Sequence, residues 1–130
     1  MAYKDKVMVS NGLSKMQTEA RRLLIGFAQS ASEGARYNWQ INGQRERAAF
    51  LVRAIKRDLI DLNKRLQTIV QSHQSLNVMM PDHDFHPEVL RAGGDYVSFI
   101  EDANSVLTPH TNELMAMMAE EVQYQRSKQG

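Results

Sequence analysis

The sequence predicts an all-α fold, a bundle of about four helices built on one long amphipathic helix spanning about residues 44–78. Three observations carry this. Apolar residues at Ala48, Val52, Ile55, Leu59, Leu62, Leu66, Ile69 and Leu76 recur in alternating steps of three and four, broken only at His73. No Gly or Pro interrupts Gln44 to Met80, and helix formers dominate that run. The segments on either side show apolar spacing near the 3.6-residue helical period.

The central helix carries a coiled-coil-like seam. With Val52, Leu59, Leu66 and His73 at one seam position and Ile55, Leu62, Ile69 and Leu76 at the other, the charges Arg53, Lys56, Arg57, Asp58, Asp61, Lys64 and Arg65 all fall outside it. At 1.5 Å per residue the helix is roughly 50 Å long. Leu51, Phe50, Ala54, Ile60 and Val70 lie off the seam, so the helix must be contacted from more than one side. Neighbouring helices of the chain can cover them, or Phe50 and Ile60 can belong to a subunit or partner interface.

A chain of 130 residues fits a single helical domain, with flexible tails at about 1–12 and 127–130. Ser10-Asn11-Gly12 is a breaker, and Ser14 followed by Gln17 fits a capping box. The first helix then presents Leu13, Met16, Ala20, Leu23, Leu24, Phe27 and Ala31. Gly26, Ser30 and Gly34 stand four apart on one of its faces, a spacing that admits another helix at close range. Asn42-Gly43 is the expected break before the central helix, and Trp39 is expected to plug the end of the core.

Beyond the central helix, Asp82, His83, Asp84, His86 and Glu88 crowd into seven residues, with His73 upstream. These side chains ligate divalent ions, so His83, Asp84 and His86 form a candidate metal site. No His-x-x-x-His or Glu-x-x-His pair preorganises them, and an acidic residue beside Pro87 equally marks a helix start. No cofactor is expected. A third helix is expected over Pro87 to Leu107, weakened at Gly93-Gly94. Thr108-Pro109 reads as an N-cap followed by proline at the first helical position, hence a fourth helix running to about Arg126.

Charge is segregated. Residues 36–65 hold eight basic side chains against three acidic; from Asp82 onward there are nine acidic against three basic. The two halves can pair with one another, or Arg45, Arg47, Arg53, Arg57 and Lys64 can meet a nucleic acid. No phosphate-binding glycine loop, Gly-x-Ser-x-Gly or cysteine nucleophile is present, so an enzyme is not expected. Without cysteines or an apolar run long enough for a leader or a membrane span, a soluble cytoplasmic protein is expected, with no membrane partner. The leading functional expectation is a structural or protein-interaction component, a homo-oligomer or an adaptor. Its candidate contacts are Gly26, Ser30, Gly34, Phe50 and Ile60. Nucleic-acid binding through the basic face is the alternative.

Overall fold

The computed structural model describes residues 2–73 and 87–129. Among them are three α-helices and no strand: α1 (Ala2–Arg36), α2 (Gln44–Ser72) and α3 (Pro87–Gln129). Each helix packs against both others.

The directions follow from who meets whom. Gln44, Arg47, Arg65 and His73 of the α2 region meet Glu120, Glu113, Asp102 and Asp95 of α3, so α2 and α3 run antiparallel. Leu23 and Phe27 lie beside Thr111, Gly34 abuts Leu114, and Tyr37, just after α1, reaches Met118, which sets α1 and α3 parallel. The bundle is therefore up, down, up. The end where α1 gives way to α2 sits beside the C-terminal part of α3.

The seam on α2 is buried as its spacing requires. Val52, Ile55, Leu62, Leu66 and Ile69 are in the core, Leu59 packs against it, and Ala48, Leu51 and Ala54 are buried as well. Two neighbours cover these positions, which a single seam could not. The long helix is not the axis of the molecule, however: α3 has 43 residues to the 29 of α2, and the three helices share one core.

The expected fourth helix is absent among the described residues. Residues expected as a third helix and a restart at Thr108-Pro109 form one helix, α3, with Pro109 inside it. The reason lies in the buried stripe Ala92, Tyr96, Phe99, Ala103, Leu107, Thr111, Leu114, Met117 and Glu121, which advances in steps of three and four straight through Pro109. Proline in a helix interior removes one backbone hydrogen bond and costs about 3 kcal/mol. Full burial of Leu107 and Leu114 on either side offsets that cost at about 1.5–3 kcal/mol each. Pro109 itself lies on the solvent side. Gly93-Gly94 likewise stays helical, and α1 begins at Ala2 rather than near Ser14, running through Ser10-Asn11-Gly12. A single glycine costs about 1 kcal/mol in a helix, which is too little to end one.

The α1–α2 break falls at Asn42-Gly43 as expected. Gly43 has φ +86°, a left-handed conformation that favours glycine, and from it α2 starts. Gln44 N donates to Ile41 O at 3.2 Å, closing the turn.

Replacing Pro109 with Ala should restore the missing backbone donor and raise stability by about 1–3 kcal/mol in chemical denaturation. Were Thr108-Pro109 the start of a separate helix, the same change would be neutral or destabilising.

Candidate functional site

A buried polar group sits at the hairpin end. Glu121 sits in the core stripe of α3 at 0 % exposure. Its Oε1 accepts hydrogen bonds from the backbone N–H groups of Gln40 and Ile41, the latter at 3.0 Å, while Oε2 is buried without a partner. Trp39, buried as expected, donates Nε1–H to Gly34 O at 2.9 Å and thereby caps a carbonyl at the end of α1. Tyr37 packs on Trp39 with ring centroids 5.0 Å apart and donates to Met118 O. A buried carboxyl group with one oxygen held by two backbone amides is a clasp between α3 and the α1–α2 turn.

A second set of polar contacts runs down the α2–α3 seam. Arg47 grips Glu113 with both Nε and Nη2, the latter 2.7 Å from Oε1, and the pair holds the Glu113 carboxyl below, and the Arg47 guanidinium above, their usual ranges. Arg65 Nη1 lies 2.7 Å from Asp102 Oδ2, Gln44 Nε2 donates to Glu120 at 2.8 Å, and His73 Nε2 is 2.8 Å from Asp95 Oδ2. Arg47 and Arg65, two of the eight basic residues of the middle, thus pair with acids of the second half within the chain. Individually, exposed pairs of this kind contribute only about 0–1 kcal/mol, so their effect is registry more than stability.

This pairing divides the basic candidates. Arg47 is committed to Glu113. Arg45, Arg53, Arg57 and Lys64 are exposed, and among the described residues none of them meets a carboxylate of α3; Arg57 is 3.7 Å from its own neighbour Asp58. Arg53, Arg57 and Lys64 share the outer face of α2 with Phe50 and Ile60, which are 50 % and 58 % exposed. Phe50 carries the Arg47 guanidinium 5.1 Å above its ring. The candidate apolar contact and the candidate nucleic-acid contact are one surface.

The small-residue face of α1 divides too. A Cβ on Gly34 would come within 2.6 Å of Leu114 Cδ2, so Gly34 is needed for close packing inside the chain. Gly26 has nothing within 4 Å of a Cβ and is exposed; the Ser30 hydroxyl donates back to Gly26 O at 3.2 Å. Gly26 and Ser30 line an open groove of about 380 Å³ with Leu23, Phe27 and, from α3, Thr111. Thr111 is 6 % exposed, with its hydroxyl unpartnered. A larger cleft of about 550 Å³ lies between α1 and α2, lined by Leu24, Ile25, Leu66 and Val70 with Arg21 and Asn63 at its polar parts.

No cluster of three metal-ligating side chains occurs among the described residues, and His83, Asp84 and His86 lie outside them. No helix among the described residues is long and apolar enough to cross a membrane.

Sequence reasoning missed two features. One is Glu121, hidden because a glutamate near a helix end reads as surface. The other is a line of exposed apolar residues on α3, Leu90, Val97, Met115 and Val122. Its signal was the seven-residue interval between Leu90 and Val97, repeated between Met115 and Val122, which the supposed break at Thr108 obscured.

Comparison with protein-family profiles, with curated proteins and with solved structures finds no significant match.

Glu121→Ala should cost about 1–3 kcal/mol by denaturant titration, because two part-buried backbone donors lose their acceptor. Glu121→Gln, which keeps both the volume and a side-chain oxygen for them, should cost less than half as much; equal losses would show that the carboxylate charge, not an acceptor oxygen at that place, is what matters.

Proposed function

We propose that this chain is a non-enzymatic protein-interaction component, a small helical bundle that acts by binding a second copy of itself or another protein through its outer faces. The observation that carries the reading is that, among the described residues, large apolar side chains remain on the outside of a bundle whose three helices already share one core. Phe50 and Ile60 stand out on α2; Leu90, Val97, Met115 and Val122 do so on α3. Scattered exposed apolar residues are ordinary, but residues aligned along one helix face mark a surface to be covered. The buried polar groups support it indirectly, because Glu121 and Trp39 are occupied in holding the fold. On this reading the protein works in aqueous surroundings, the cytoplasm being the compartment that a cysteine-free chain suits.

A nucleic-acid role for the α2 face is the second reading. Its specific support is that, among the described residues, Arg53, Arg57 and Lys64 receive no carboxylate from α3 while Arg47 and Arg65 do. Three cations in line would give a weak, salt-sensitive contact with phosphates. Phe50 and Ile60 between them suit a protein surface better, since Ile60 cannot stack on a base and the Arg47 guanidinium already lies over the Phe50 ring.

Light scattering on untagged protein after size exclusion, with absorbance recorded at 260 and 280 nm, separates the two. The first reading predicts a mass above 14.8 kDa that falls on dilution, with a protein-like absorbance ratio. Nucleic acid co-eluting at low salt and released at high salt would favour the second. A clean monomer at all concentrations would remove self-association and leave docking on another protein.

A further inference from the structure

We infer that α3 pairs antiparallel with α3 of a second copy of this chain, across a twofold axis near residue 106, through Leu90, Val97, Asn104, Thr108, Met115 and Val122. The inference rests on the proposed reading that the chain binds through its outer faces, and it names the occupant and register. At about 100° per residue these six positions fall within roughly 40° of one another on the helix. Leu90, Val97, Met115 and Val122 are 68 %, 45 %, 54 % and 36 % exposed, Asn104 is exposed and Thr108 half-buried. The stripe lies away from the α2 side of α3, where Asp95, Asp102, Glu113 and Glu120 make their pairs, and next to the flank on which Thr111 meets α1.

The choice of a second copy follows from symmetry and charge. The six positions are separated by seven, seven, four, seven and seven residues, an interval series that reads the same from either end. A twofold axis perpendicular to the helix at its midpoint therefore sets Leu90 against Val122, Val97 against Met115 and Asn104 against Thr108 of the other copy. Apolar meets apolar at both ends and polar meets polar in the middle, the self-complementarity that an isologous interface requires. None of the six is charged. A parallel pairing would bring Glu101, which borders the stripe, near its own copy; the antiparallel one sets it near Thr111 and opposes the helix dipoles. The outer face of α2 cannot serve in this way, because Arg53, Lys56, Arg57 and Lys64 would crowd their counterparts.

Size is adequate for a reversible dimer. From Leu90 to Val122 the stripe is roughly 48 Å long, and a contact about 10 Å wide buries roughly 1,000 Å² over both copies. That is the lower limit for a specific interface. The polar pair at the centre, Asn104 with Thr108, would favour this register over slipped ones.

Charge exchange tests the register. Wild-type mass by light scattering should rise toward twice 14.8 kDa over about 10 to 300 µM, a range suited to an interface of this size. Val97→Glu and Met115→Arg should each weaken the dimer at least about tenfold, and the two together should restore it, because each glutamate then faces an arginine. A double variant weaker than either single one would mean parallel pairing and overturn the proposal. Unchanged dimers in all three, with loss on Phe50→Glu/Ile60→Glu, would overturn it while leaving self-association standing; a wild-type monomer throughout would overturn both. Should a charged variant fail to fold by circular dichroism, cysteines introduced into this cysteine-free chain decide. Val97→Cys mixed with Met115→Cys should oxidise to a covalent dimer and Val97→Cys alone should not; the reverse pattern would contradict the register.

Discussion

Three helices of one chain can pack in many ways unless something fixes how their ends meet, and here a carboxyl group buried in the core stripe of α3 does so. Glu121 accepts from the backbone of Gln40 and Ile41, so the turn between α1 and α2 is held against the third helix by groups that have no other partner among the described residues. Trp39 adds a hydrogen bond to Gly34 O, and the missing side chain of Gly34 lets Leu114 close on α1 at the same level. Backbone donors buried without acceptors are costly, which is why one misplaced group here would be felt along all three helices. With that end fixed, Arg47–Glu113, Arg65–Asp102 and His73–Asp95 need only keep α2 and α3 in register.

That register has a consequence for the surfaces. The acids of α3 that face α2 are occupied by α2, so the charge left outside is uneven. The outer face of α2 keeps Arg53, Lys56, Arg57 and Lys64, whereas the free stripe of α3 has no charge at its six positions. One chain thus offers two unlike surfaces, a basic one with Phe50 and Ile60 set into it and a neutral one along α3. On the proposed reading they have different occupants: the neutral stripe suits an identical partner, and the basic face suits an acidic one.

How much of this could be read from residues alone depended on whether a signal was periodic or local. The seam Val52, Ile55, Leu62, Leu66 and Ile69 was legible because it repeats, and the all-α class and the turn at Asn42-Gly43 followed with it. The division at Thr108-Pro109 misled because a local cap signature was weighed above a longer period: the steps from Ala103 through Leu107, Thr111 and Leu114 pass it without a gap. Phe50 and Ile60 were placed outside the seam by the same period and are exposed. Gly26, Ser30 and Gly34 share a spacing but not a role, because which glycine meets another helix depends on where the neighbour lies. Glu121 was illegible, since its partners are backbone groups about eighty positions away in the chain.

The outer stripe of α3 as the place where the chain meets another copy is tested most directly by methyl NMR of the intact, unmodified protein on dilution. Concentration-dependent shifts at Val97, Met115 and Val122, with Val52 and Ile60 unmoved, are expected. Shifts centred on Ile60 and the α2 face, or none at any concentration, would contradict it.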